Sequence, residues 1–181
     1  MCKQFERTLA FHCAPALFGI KASNLINVCL KDFPNLDNEI ADLNKDFNPR
    51  IFFKILNKTD KKALILVYQE YKLSRALFNM KAYLYLQGFN YPKERDLDSY
   101  LNHLSSKMKN EEFPHEIGVF LGYDLDDIRE YQNGNKNCLY VGYWKVFSDK
   151  ERKMKIFDQY TKCKNIVSSL LNKGYRLEAI I

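Results

Sequence analysis

The chain has 181 residues, 46% hydrophobic, 14% aromatic and 28% charged, which suits one domain with a large core and excludes a disordered chain. No apolar run approaches the roughly 20 residues of a membrane span, and the charged start Lys3-Gln4-Phe5-Glu6 lacks the apolar centre of a signal peptide, so a cytoplasmic protein without membrane contact is expected. The net charge of +6 is split: residues 49–92 carry 8 basic and 2 acidic groups and residues 136–181 carry 10 and 4, with a net of −5 between them.

In chain order, Phe5, Leu9, His12 and Cys13 share one helical face, which predicts a helix over 3–13 that Pro15 stops. Residues 24–30 alternate as a strand, with Ile26, Val28 and Leu30 on one side. Leu36, Ile40, Leu43 and Phe47 mark a helix over 35–47. The apolar runs 51–56 and 63–68 flank a polar segment and predict a hairpin. Helices follow over 70–78 and 80–87, with Gly88 as a stop, and around Leu97, Tyr100, Leu101, Leu104 and Met108.

Pro114 suits a first helical turn, and Gly122 suits a helix end in the left-handed conformation. Asp124 can then cap a helix that packs Ile128 and Tyr131 inward. This spacing also fits a helix-turn-helix. Its second helix, however, carries Asp124, Asp126, Asp127 and Glu130 against Arg129 alone, which repels phosphates, so nucleic acid is a poor partner there. Residues 139–147 read as a strand. Ser148 with Glu151 forms a capping box before a helix whose stripe runs Ile156, Phe157, Tyr160, Cys163, Val167, Leu170 and Leu171 to Gly174. Residues 176–181 read as a last strand. The sum is an α+β single domain over 1–181, with a mixed or antiparallel sheet of about five strands and six or seven helices.

The five cysteines are odd in number and widely spaced, without a C-x-x-C pair, so free thiols are expected rather than a zinc ribbon. Histidine supplies a base near neutral pH, and thiolate supplies a nucleophile or soft metal ligand. His115, Glu116 and Cys13 are therefore the catalytic candidates. His12, Cys13, His115 and Cys138 are the candidates for lining a ligand pocket, with no metal set evident. Glu116 adjoins His115 in sequence, but neighbours on a helix point apart. His12-Cys13, both on the buried face of the first helix, is the natural partner for His115, with Cys138 and Cys163 as further possibilities, although Cys163 on its apolar stripe reads as core; His103 reads as solvent-facing. The scattered glycines form neither a phosphate loop nor a nucleophile elbow. Lys145, mid-strand, extends its head to water or turns inward as a functional amine.

Phe5-Glu6-x-Thr8-Leu9-Ala10-Phe11-His12-Cys13-Ala14-Pro15, Gly19-Ile20-Lys21-x-x-Asn24-Leu25, Phe113-Pro114-His115-Glu116-Ile117-Gly118-x-Phe120-Leu121-Gly122-Tyr123, Gly142-Tyr143-Trp144-Lys145-Val146 after Cys138, and Tyr160-x-Lys162-Cys163 follow one another along the chain. Together they resemble a bacterial family known only as a domain of unknown function, thirty-seven ninety-three in the usual numbering. The resemblance implies a single-domain cytoplasmic protein and no particular activity or cofactor. His12, Cys13, Asn24, His115, Glu116, Gly118, Gly122, Cys138, Trp144, Lys145 and Cys163 match its motif residues. Where relatives usually carry a proline just after the tyrosine that follows the second glycine, this chain has Asp124-Leu125.

Three functions follow as expectations. The first is binding of a small molecule or metal in a pocket near Pro114 lined by His12, Cys13, His115 and Cys138. The second is thiol chemistry with Cys13 or Cys138 as nucleophile and His115 as base. The third is a scaffold that binds nucleic acid or an acidic protein through the basic blocks, against which stands an ordinary solvated surface.

Overall fold

The structure, a computed structural model, describes residues 2–109 and 113–181. In chain order its elements are α1 (Lys3–Leu17), β1 (Ser23–Cys29), α2 (Leu36–Phe47), β2 (Phe52–Lys58), β3 (Lys62–Tyr68), α3 (Glu70–Phe78), α4 (Met80–Gln87), α5 (Leu97–Lys107), α6 (Ile117–Phe120), α7 (Leu125–Gln132), β4 (Tyr140–Val141), β5 (Lys145–Val146), α8 (Lys150–Asn172) and α9 (Leu177–Ile180). The class is α+β, with five strands and nine helices among the described residues.

β3 is the middle strand of an antiparallel sheet ordered β1-β3-β2, with Ile65 opposite both Ile26 and Ile55. Its unbroken apolar sequence reflects burial on both faces. Ala63, Ile65 and Val67 face a core built with Phe5, Leu9 and Cys13 of α1, Leu36 and Leu43 of α2, and Cys163 and Val167 of α8. Leu66 and Tyr68 face a second core with Leu73, Leu86, Leu101, Phe120 and Ile128 from α3 to α7. A third, smaller cluster packs Val146 of β5 on Phe157 and Tyr160 of α8, flanked by Trp144. None of the described helices is long and apolar enough to cross a membrane.

Tertiary contacts move several boundaries. α1 runs through Pro15 to Leu17, because the Ala16 amide beside the proline donates to Oδ1 of buried Asn24 (3.1 Å) and the Pro15 carbonyl accepts from Ile20 and Lys21. The helix from Pro114 shrinks to the single turn α6, leaving Pro114 and His115 in the approach to it. The strand over 139–147 is a two-stranded ribbon, β4 and β5, folded at Gly142, where a Cβ would lie 2.4 Å from the Phe157 ring. No capping box forms on α8: its N-cap is Asp149, and the Ser148 hydroxyl instead accepts from Lys153 (3.0 Å). The final segment is α9 rather than a strand. The carboxylate of buried Glu6 accepts from the Leu177 amide (2.6 Å) and from Arg176 (3.0 Å), docking the C-terminus on α1.

Candidate functional site

A pocket lies where α6, α7 and the β4–β5 ribbon meet, and glycines set its shape. Gly122 ends the α6 turn at φ +69°, a conformation that L side chains resist. A Cβ on Gly118 would sit 2.9 Å from Ile128, so glycine lets α6 lie against α7. Asp124 then caps α7, its side chain accepting from the Asp126 amide.

One turn into α7, Asp127 is 2% exposed and fully engaged. Its Oδ1 accepts from the Phe147 amide (2.8 Å), and its Oδ2 accepts from Trp144 Nε1 (2.7 Å) and pairs with Lys153 Nζ (2.7 Å). Lys153 is wholly buried, yet Ser148 and Asp124 (3.6 Å) complete its surroundings. Burial works against ionisation of Asp124, but Arg152 and Lys153 outweigh it and hold its carboxyl below the ordinary range. This buried, hydrogen-bonded ion pair ties α7, the ribbon and α8 together, and it orients the indole of Trp144.

The pocket in front of that wall has a volume of about 470 Å³. Tyr123, Tyr131, Trp144 and Phe113 line it with ring surface, and Ile117, Leu121 and Ile128 close its base. Tyr123 stacks on Trp144 with centroids 4.7 Å apart. The cationic group on its wall is Lys145, whose Nζ lies 5.1 Å from the centroid of Tyr131, while the His115 ring meets the same tyrosine edge-on at 5.4 Å. Tyr131 is thus exposed as a wall of the pocket rather than packed inward.

The sequence candidates do not gather at one place. His115 borders this pocket. Glu116 is buried behind it and pairs with Lys107. His12 is exposed on the far side of α1 and lines a shallow groove with Arg7, Thr8 and Phe11. Partial burial, and then the charge of Lys164, lower its pKa. Cys13 is sealed in the first core, where burial pushes its thiol up to about 12, so it is a poor nucleophile. Cys138 is half-buried ahead of β4 and is not among the pocket walls. Cys163 lies in the core. His103 is half-buried, with Nε2 3.3 Å from the Phe89 carbonyl and its ring on Tyr91. Among the described residues no three His, Cys, Asp or Glu side chains converge as a metal would need.

Sequence reasoning missed Asp127 as an organiser and Lys153 altogether. A signal was present for the latter: Lys153 precedes Phe157 by four residues and Tyr160 by seven, on the buried stripe of α8.

The fold and this pocket define an α+β protein with an aromatic cavity edged by lysine and histidine. Residues 9–181 match the model of a family described as protein of unknown function (DUF3793), and the chain belongs to that family. No curated protein and no solved structure matches it.

Proposed function

We propose that this protein binds a small, flat, anionic molecule in the pocket between α6, α7 and the ribbon. The observation that carries this reading is the pairing of ring walls from Trp144, Tyr123 and Tyr131 with a cationic Lys145 beside them. Flat apolar walls favour a planar ligand through stacking, and a few placed polar groups then fix its orientation. Asp127, the carboxylate in the wall, spends its charge on Lys153 and its lone pairs on Trp144 and Phe147, so it does not repel an anion as a free carboxylate would. His115 stands where it can donate a hydrogen bond to the same anionic group. A cytoplasmic location belongs to the same proposal and is supported by the five free thiols.

Trp144 is the single tryptophan of the chain, so its fluorescence reports on this pocket alone. Titration with benzoate or nicotinate is expected to give a saturable change, with benzamide and nicotinamide at least about tenfold weaker, a difference of about 1.4 kcal/mol. Lys145→Ala is expected to abolish that preference. Equal responses to acids and amides, or none to either, would end the proposal.

A further inference from the structure

Another recess lies beside the C-terminal end of α1, and it shares no wall with the aromatic pocket. Its volume is about 620 Å³. Phe18 and Ile20, just beyond α1, line it together with Ile166 and Leu170 of α8 and Ile180 of α9. These side chains are far from hidden: Ile166 is 61% exposed, Ile20 43% and Phe18 38%. Single exposed apolar residues are ordinary, but several from three elements around one recess mark a place where something docks.

The walls are fixed before any partner arrives. The Phe18 amide donates to the Ala14 carbonyl (3.0 Å), Gly19 turns the chain at φ +66°, and the Ile20 amide donates to the Pro15 carbonyl (2.8 Å). Gln69 Nε2 fastens the same turn by donating to the Leu17 carbonyl (3.0 Å). Phe18 and Ile20 are thereby held outward, and the bonds from Arg176 and Leu177 to Glu6 hold α9 beside them. Little ordering entropy is lost when such a surface is covered.

Charge indicates what covers it. Lys162 lines the groove, and among the described residues no carboxylate side chain does. Lys155 and Lys173 stand seven residues before and eleven after Lys162, within about 20° of it around the helix, so the three exposed lysines form a row along the outer edge of the groove. The acidic residues nearby are placed differently. Asp158 is turned about 100° from Gln159, away from the groove, and Glu151 lies in the first turn of α8, about 12 Å before Gln159. Glu178 of α9 pairs with Arg176 (3.7 Å).

We propose that this groove docks an acidic amphipathic helix of a partner protein. The stretch of α8 that lines it, residues 159–170, is about 16 Å long, which accommodates apolar anchors at i, i+3 or i+4, and i+7 of such a helix. Aspartate or glutamate beside those anchors meets the lysine row. A second copy of this chain fits less well, because it brings its own lysine row and a net charge of +6. An anionic bilayer also fits less well, since it takes apolar side chains that project from a convex face, whereas these surround a hollow.

The test is a display library of random peptides of about 15 residues, selected on the whole folded protein with the Ile166→Ser variant as counter-selection. The surviving peptides are expected to be rich in Asp and Glu, with apolar residues at the spacing above. Calorimetry is then expected to show at least about tenfold weaker binding to Ile166→Ser and to the triple variant Lys155→Gln, Lys162→Gln, Lys173→Gln, with the salt dependence reduced in the triple variant alone. All four side chains are exposed, so circular dichroism should match the wild type. Survivors that are neutral or basic, or no survivors, would overturn the proposal. A dimer that Ile166→Ser dissociates would overturn it in favour of a second copy, and pelleting with phosphatidylserine vesicles that Ile166→Ser abolishes would overturn it in favour of a membrane.

Discussion

Lys153 and Lys21 are both buried and both bear on α8, Lys153 as part of it and Lys21 against Tyr160 two turns further on. Lys153 meets Asp127, Asp124 and Ser148. Lys21 meets two tyrosine rings and a neutral thiol. Burial alone thus does not set the character of a lysine. A carboxylate with its remaining lone pairs satisfied turns the amine into a structural cross-link, whereas burial against aromatic faces without a carboxylate disfavours the charged form.

The strongest way to break this contrast is to remove the carboxylate that defines the paired side. Asp127→Ala takes the nearest carboxylate from Lys153, which keeps Ser148 and the more distant Asp124, and orphans Trp144 Nε1 and the Phe147 amide; it is expected to cost about 3–5 kcal/mol in urea unfolding. A loss below about 1 kcal/mol would mean that the ion pair contributes little. Lys21→Met should act with the opposite sign, stabilising the protein by up to about 3 kcal/mol at pH 7. The sign follows from linkage. The folded-state pKa of Lys21 is below its unfolded value, so between about pH 8 and 10.5 the unfolded chain holds more protons, and the Lys21 contribution to stability rises with pH. The advantage of Lys21→Met is therefore expected to shrink across that window. The difference between variant and wild type isolates Lys21 from Cys13, Tyr123 and Tyr160, whose raised pKa values act the other way. A pH-independent difference would contradict the assignment.

Smaller effects sharpen the geometry around both lysines. Gly118→Ala drives a methyl into Ile128, and about 1–3 kcal/mol of destabilisation is expected from thermal or urea unfolding. Lys145→Ala touches an exposed side chain. It should change stability by less than about 0.5 kcal/mol while removing the preference of the pocket for anions, which separates binding from folding.

The secondary structure was legible wherever a local pattern spoke for itself. The stripe Leu36, Ile40, Leu43 and Phe47 gave α2, and the paired apolar runs gave β2 and β3. The pattern failed where distant partners took over. Pro15 did not end α1 because Asn24 met the neighbouring amide, and residues 177–180 coiled because Glu6 met the Leu177 amide. Among the candidate residues, His115 reached the pocket, but His12 and Cys13 could not follow it: successive residues of α1 point about 100° apart, so one faced solvent and the other the core.

What the sequence determined by itself is therefore the α+β class, the sites of the glycine turns, and the basic and aromatic character of the chain. These depend on spacing and on the conformational range of single residues, which act over a few positions. Only the tertiary structure decided which lysine received a carboxylate and which received rings, and that Trp144, Tyr131 and Lys145 would share a cavity with His115. Charge and desolvation are properties of the surroundings, and those surroundings come from other elements, tens of residues away for Lys153 and the pocket and more than a hundred away for Lys21.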